Sequence, residues 1–165
     1  MPERKTVERA ARDKRQGKAA STQAGEFVRE EMDHIREGRH GARSAKQAIA
    51  IGLSKARRAG VKLAPPKKGT ASSATRRKAK QDEAAAEHPH RVSRKRSRAT
   101  EAALEREPRS AASHTALSRQ AHAAARKRSP AERSAAARKA VRTKGPAERS
   151  QAARKAARTR KRKAA

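Results

Sequence analysis

The residues of this sequence that could bind a metal or transfer protons are its histidines and carboxylates, because the chain has no cysteine. Glu30 and His34 are four residues apart, so they share one face of a helix, and His88 and His90 flank a proline. Neither pair has a third ligand at a credible spacing or a partner that would orient it. We therefore expect no metal site, no cofactor and no catalytic residues, and we predict that the protein is not an enzyme.

Lysine and arginine dominate the chain instead. The 165 residues contain 46 Lys and Arg against 16 Asp and Glu, a formal net charge of +30. Such a chain attracts polyanions and has little apolar material for a core. Residues 108–165 carry eighteen basic and two acidic side chains, and we predict that this tail binds DNA phosphates. The predicted contacts are Arg126, Lys127, Arg128, Arg138, Lys139, Arg142, Arg154, Lys155, Arg158, Arg160, Lys161, Arg162 and Lys163.

The tail contains a sixteen-residue repeat, found in residues 130–145 and 146–161. Each copy begins with proline, which suits the first position of a helix, and Ser129 and Glu132 have capping-box spacing before the first copy. Like charges at i, i+4 oppose a free helix, and helices of about 13 residues are marginal in water. We predict a tail that is disordered alone and forms isolated helices on a polyanion. Its composition resembles the Ala/Lys/Arg/Pro tails of linker-histone-like bacterial proteins.

Residues 21–64 contain most of the large apolar residues and the single aromatic side chain. Their helical spacing predicts one helix over about 23–37 and a second over about 44–59, joined at Gly38. Gly52, inside the second helix, predicts a close approach of the first helix. The sequence therefore predicts an all-α protein with one small antiparallel helical hairpin. The predicted hairpin core is Phe27, Val28, Met32, Ile35, Ile49, Gly52 and Leu53.

An acidic stripe follows the first helix, at steps of four, three and four residues. It is either an ordinary solvated face or a docking site for a basic segment, from this chain's own tail or from a partner. The acidic stripe consists of Glu26, Glu30, Asp33 and Glu37. On the second helix, Arg57 and Arg58 are secondary phosphate contacts, without the base-reading groups that sequence-specific recognition needs.

Composition also divides the rest of the chain. Residues 1–20 predict a charged, solvated arm in preference to a short, frayed helix before Gly17, and residues 65–107 have the composition of a disordered linker with a short helix near 98–107. Domains below about 40 residues usually need disulfides, metals or oligomerisation, so the hairpin is a candidate homodimer. No apolar run is long enough for a signal peptide or a membrane span. We expect a cytoplasmic protein that does not bind membranes.

The stretch GEFVREEMDHIREGRHGARSAKQAIAIGLSKARRAGVKL, residues 25–63, resembles a family of short bacterial proteins built on a domain of unknown function. The most distinctive part is GARSAKQAIAIGLSKARRAG, and the resemblance covers roughly the first 65 residues. It implies a bacterial origin and a small helical module. Proteins of this kind are loosely labelled DNA-binding or plasmid-stabilisation proteins, and no catalytic residues transfer to this chain.

These patterns favour nonspecific binding of duplex DNA by phosphate neutralisation, in a nucleoid-associated or architectural protein. The alternatives are a structured-RNA or ribosome-associated protein and a docking adaptor that uses the acidic stripe. Single-stranded RNA recognition relies on aromatic stacking, and membrane insertion on bulky apolar anchors, which this sequence lacks. The hairpin would either link two chains, so that two tails bridge two duplexes, or mask its own tail.

Overall fold

A computed structural model describes residues 2–88, 93–143 and 145–164, with side chains to Arg162. This part of the chain is helical and contains no strand, which confirms the prediction of an all-α protein. His90, considered above as a metal ligand, lies outside the described residues. The helices are α1 (Arg4–Arg15), α2 (Ala20–Glu37), α3 (Ala45–Arg58), α4 (Ser73–Glu87), α5 (Arg94–Glu105), a 3-10 helix (Arg109–Ala112), α6 (His114–Arg126), α7 (Pro130–Thr143) and α8 (Pro146–Ala164).

The chain divides into two compact units, residues 1–120 and 121–165. All buried side chains among the described residues belong to the first unit. The prediction of one small hairpin with long disordered segments is therefore wrong, because the hairpin is only part of a larger helical unit. The reason is that alanines, small polar residues and ion pairs make the additional contacts, and these give little apolar signal in a sequence.

The hairpin itself consists of α2 and α3, which pack against each other. Gly38 ends α2 in the left-handed conformation, with φ of 79°, where a side chain would be strained. Ser44 caps α3 by accepting a hydrogen bond from the Gln47 amide at 3.2 Å. The two helices are close together at Gly52, where an added Cβ would lie 2.6 Å from the Cα of Val28.

Residues 1–20, expected to form a solvated arm, instead contain α1, which packs against α2. Thr6, Ala10 and Asp13 form a buried stripe at helical spacing. Arg9 crosses to α2 and donates from Nε to Glu26 at 2.6 Å. The arm therefore folds because small side chains allow close contact and an ion pair orients the helix, without any large apolar residue.

Residues 65–107, expected to be a linker, contain α4 and α5. Helix α4 packs against α3 through Ala79 and Asp82, which are both buried. Asp82 accepts a hydrogen bond from Ser54 at 2.7 Å and lies 3.0 Å from Lys78 Nζ. Helix α5 covers most of the short helix predicted near 98–107 and has no buried residue.

The segment 104–112 closes the hairpin turn, and we call it the closing segment. Gly41 donates its amide to the Leu104 carbonyl at 2.8 Å, and Ala42 donates to Pro108 at 3.1 Å. The alanines of the 3-10 helix then enter the apolar core beside α2 and α3. That cluster of buried residues is Met32, Ile35, Ala42, Ala48, Ala111 and Ala112.

A second buried cluster joins α1, α2 and α3 around Phe27, whose side chain is 1% exposed. Leu53 and Leu63 are partly buried and pack against it. Its buried members are Ala10, Ala24, Phe27, Ala56 and Val61. Four of the eleven buried residues in the two clusters have large side chains, and the other seven are alanines, so the core depends on close backbone approach.

Candidate nucleic-acid interface

The second unit presents α7 and α8, which carry the two copies of the repeat. At the start of α7, Ser129 Oγ accepts from the Glu132 amide at 3.2 Å, and Glu132 Oε2 accepts from the Ser129 amide at 2.9 Å. This is the reciprocal capping box that the sequence indicates. At α8 the Gly145 carbonyl accepts from the Arg149 amide at 3.2 Å, and glycine has no side chain to add a cap.

Every described residue from Ala121 to Arg162 is exposed. This range contains fifteen basic and two acidic side chains, so acidic partners are few. The side chain of Lys163 lies outside the described residues. The exposed cations among the predicted contacts are Arg126, Lys127, Arg128, Arg138, Lys139, Arg142, Arg154, Lys155, Arg158, Arg160, Lys161 and Arg162.

Cations also stand one helical turn apart on both helices. Arg138 and Arg142 are i, i+4 neighbours on α7, as are Arg154 and Arg158 on α8. Like charges at this spacing repel each other by a few tenths of a kcal/mol in water. A bound phosphate removes that repulsion, so these faces are suited to a polyanion.

The two secondary contacts on α3 differ from each other. Arg57 is only 7% exposed and donates from Nε to the Leu63 carbonyl at 3.1 Å. This hydrogen bond fixes the segment that follows α3, so the Arg57 guanidinium is engaged within the fold. Arg58 is about half exposed, with Nε 4.0 Å from Asp82 Oδ1, so of this pair only Arg58 presents its cation to solvent.

The acidic stripe is paired within the first unit. Arg9 binds Glu26, and the Glu3 amide donates to Glu30 at 3.1 Å. Asp33 lies between two arginines of its own helix, and Glu37 pairs with an arginine of the turn. Each of the eight acidic residues before residue 40 has at least one ion pair. These residues are Glu3, Glu8, Asp13, Glu26, Glu30, Glu31, Asp33 and Glu37.

A group of polar side chains lies between α2, α3 and the hairpin turn, and we call it the buried polar cluster. It consists of Glu30, Glu31, His34, His40 and Lys55. Glu31 is fully buried, with Oε2 2.7 Å from Lys55 Nζ and Oε1 3.4 Å from His40 Nε2. Lys55 Nζ also lies 3.5 Å from Glu30 Oε1. The rings of His34 and His40 meet edge to face, with centroids 6.1 Å apart.

Glu3 extends this network from the start of α1. Its Oε1 lies 3.0 Å from His34 Nε2 and 2.8 Å from Arg39 Nη1. Hydrogen bonds from His34 and then Arg39 lower the pKa of Glu3 below its usual value. The hydrogen bond to Glu3 in turn raises the pKa of Arg39, so the guanidinium remains charged.

Sequence reasoning paired Glu30 with His34 and missed Glu31, His40 and Lys55. One signal was present, because Glu31 stands between Phe27 and Ile35 at steps of four on the apolar face of α2. A carboxylate at such a position must be paired when it is buried. The position of His40 depends on how the closing segment holds the turn, which no local pattern shows.

Residues 3–68 match the model of a family of unknown function (DUF6496). The matched segment contains α1, α2 and α3, and ends before α4. The closing segment and the second unit lie outside it. Comparison with curated proteins and with solved structures found no match. None of the described helices has the length and hydropathy needed to cross a bilayer.

Proposed function

We propose that this protein binds duplex DNA with little sequence preference, through phosphate neutralisation by α7 and α8. The observation that carries the proposal is the contrast between its two units. The first unit pairs all acidic side chains before residue 40 internally, whereas the many cations of α7 and α8 are exposed and these two helices carry two acidic side chains, Glu132 and Glu148. Free cations at helical spacing favour counterion release on a polyanion.

Helix lengths are consistent with this role. At 1.5 Å per residue, α7 is roughly 21 Å long and α8 roughly 28 Å long. A duplex carries about one phosphate charge per 1.7 Å, so the length of α8 corresponds to about 17 phosphates. Each helix therefore meets more phosphates than it has cations, and many registers along the duplex are equivalent. Such binding is independent of sequence.

Structured RNA is the second candidate. It offers the same phosphates, and none of the described side chains of the second unit distinguishes the two duplexes. Single-stranded RNA is less well supported, since the one aromatic side chain, Phe27, is 1% exposed and cannot stack on a base. Duplex DNA requires neither stacking nor a 2′-hydroxyl contact, and we rank it first.

The docking-adaptor role has less support, because Glu26 and Glu30 are occupied by α1. The same pairing weighs against a stripe that masks the tail. A homodimer through the hairpin also loses its main argument, since α1 and the closing segment cover much of the apolar surface that a second copy would cover. We propose an architectural, nucleoid-associated role in the cytoplasm that one chain can perform through two cationic helices.

The test is a salt titration of binding to duplex DNA and to a structured RNA. Because log K falls by about 0.9 for each phosphate contact per decade of salt, ten contacts give a slope of about −9. A chain ending at Arg128 keeps the first unit and loses α7 and α8, and should show a much shallower slope.

A matched pair of variants locates the contacts. Four cations of α7 and α8 (Arg138, Lys139, Arg154 and Lys155) are replaced by glutamine, and in the control four cations of α5 (Arg94, Lys95, Arg96 and Arg98) are replaced. We expect the first set to reduce the slope by about 3 to 4 and the control set to reduce it less. Equal effects would refute the proposed interface, and an RNA preference that persists at high salt would favour the second candidate.

A further inference from the structure

The buried polar cluster contains three potential metal ligands from different positions of the hairpin. Glu31 and His34 lie one turn apart on α2, and His40 enters from the turn that follows. One ligand atom from each side chain lies within 4.8 Å of the other two. We propose that Glu31, His34 and His40 bind a divalent transition-metal ion of the zinc class. The site belongs to the first unit and does not depend on DNA binding.

The distances fit such an ion. Ligands at 2.0–2.1 Å from a tetrahedral zinc are about 3.3 Å apart. Glu31 Oε1 and His40 Nε2 are already 3.4 Å apart. Since the three ligand atoms lie within 4.8 Å of one another, the His34 nitrogen must approach by at most about 1.5 Å. The three side chains therefore need only a small adjustment to share one ion.

The orientation of His40 supports the assignment. Its Nδ1 lies 3.0 Å from the Gly41 carbonyl, and because a carbonyl only accepts, Nδ1 carries the proton and donates. In the neutral ring this leaves a lone pair on Nε2, which lies 3.4 Å from Glu31 Oε1. Two lone pairs at 3.4 Å repel unless a cation lies between them. A backbone hydrogen bond on the other ring nitrogen is also the usual way in which a metal-binding histidine is oriented.

The charge of the cluster gives an independent argument. Glu30 and Glu31 are 3% and 0% exposed, and among the described residues Lys55 is the lysine that lies within 3.5 Å of both carboxylates. Neither oxygen of Glu31 has a hydrogen-bond partner of good geometry, although Lys55 Nζ is 2.7 Å from Oε2. The contact with Lys55 is an ion pair to Oε2, and Oε1 remains available to bind a metal ion. Two buried carboxylates against one ammonium group leave a negative charge that a metal ion would neutralise.

The ligand set also selects the class of ion. Two imidazoles and one carboxylate suit Zn²⁺, Co²⁺ or Ni²⁺, whereas Mg²⁺ and Ca²⁺ prefer oxygen ligands alone. Glu3 Oε1 and Arg39 Nη1 lie 3.0 and 3.1 Å from His34 Nε2, so an ion bound through that nitrogen would displace them. The bound ion would fasten the turn to α2, so its role here is structural.

The experiment uses the full-length chain after treatment with a chelator, titrated with Co²⁺ and then with Zn²⁺. We expect one equivalent of Co²⁺ to give visible absorption bands of a four- or five-coordinate ion, and Zn²⁺ to abolish them. Mg²⁺ at the same concentration should have no effect. Absence of a stoichiometric complex would overturn the proposal.

Variants assign the ligands. His34→Ala and His40→Ala should each weaken Zn²⁺ binding by more than the roughly 10–100-fold that follows loss of an outer hydrogen-bonding partner. The matched controls His114→Ala and His122→Ala remove exposed histidines of α6 and should leave the affinity unchanged. Equal affinity in all four variants would refute the site.

Nitrogen NMR of the wild-type imidazoles decides the matter where a variant folds poorly. One equivalent of Zn²⁺ should shift the ring nitrogens of His34 and His40 and leave the other four histidines unaffected. A shift of His88 in place of these two, or a uniform shift of all six, would contradict the proposal.

Discussion

At the scale of single residues, two glycines inside helices differ only in their surroundings. A Cβ added to Gly25 in α2 meets nothing within 4 Å, whereas at Gly52 in α3 it would lie 2.6 Å from the Cα of Val28. Replacing a helical glycine by alanine otherwise gains up to about 1 kcal/mol. We expect Gly25→Ala to raise the free energy of unfolding of the first unit and Gly52→Ala to lower it. Hydrogen exchange of the α2 and α3 amides measures both, and a stabilising Gly52→Ala would contradict this packing.

Burial distinguishes the apolar side chains of the hairpin as well. Phe27 is almost completely buried, whereas Ile49 and Leu53 are only partly covered. Phe27→Ala should therefore cost about 3–5 kcal/mol, and Leu53→Ala should cost less than the 2–5 kcal/mol of a fully buried leucine. Native-state hydrogen exchange gives both free energies of unfolding. A larger loss of stability in Leu53→Ala than in Phe27→Ala would show that the core is not centred on Phe27.

The sequence predicted the residues with large side chains better than the polar ones. Phe27, Met32 and Ile35 are identified by helical periodicity, because one face of a helix must be buried. The same periodicity places Glu31 on that face, but a buried carboxylate can be interpreted only when the residue that pairs with it is known. Lys55 is its partner, from the next helix, and no spacing within either helix relates the two.

At the scale of elements, α4 packs against α3 through one buried carboxylate, Asp82, beside Ala79. Asp82 is 2% exposed and joins Ser54 to Lys78, whereas Glu87, on the same helix, is exposed. Asp82→Asn should weaken the docking of α4 and accelerate amide exchange from Ser73 to Glu87, because it removes the charge that faces two cations. Glu87→Gln is the control and should leave exchange unchanged. Similar exchange in both variants would show that Ala79 holds α4 without Asp82.

Helices α1 and α4 were missed as packed elements for a physical reason. Their buried residues are Thr6, Ala10, Asp13, Ala79 and Asp82, none of which contributes strongly to an apolar pattern. Alanine favours helix formation, but it does not indicate which face of the helix is buried. The contact becomes apparent only when the facing helix is known, so the elements were predictable and their packing was not.

At the scale of the whole molecule, the folded core ends well before the chain does. The last residue that packs against a buried cluster is Leu117. A chain ending at Arg128 should therefore melt like the first unit of the full chain. A chain ending at Thr100 loses the closing segment, and with it two backbone hydrogen bonds and two buried alanines, and should be clearly less stable. Circular dichroism of the two truncated chains measures the difference, and equal melting would show that the closing segment is dispensable.

The overall division of the chain followed from composition, but the boundary did not. Charge and repeats predicted a separate basic region from residue 108, whereas the second compact unit begins at Ala121. The closing segment spans the predicted boundary between linker and tail at residues 107 and 108, and it contributes two backbone hydrogen bonds and two buried alanines. The backbone hydrogen bonds depend on the geometry of the turn at Gly41, and they cannot be predicted from the residue types.

The closing segment also sets the order in which the protein folds as it is synthesised. The hairpin is complete in sequence at Arg58, but Ala111 and Ala112 follow more than fifty residues later. At about 5–20 residues per second, a ribosome needs roughly 3–10 s to supply them. During that interval Met32, Ile35 and Ala42 lack their cover, and the nascent hairpin exposes its apolar surface next to the ribosome. The cationic helices emerge only afterwards, so the first unit can close before the chain acquires its strongest affinity for nucleic acid.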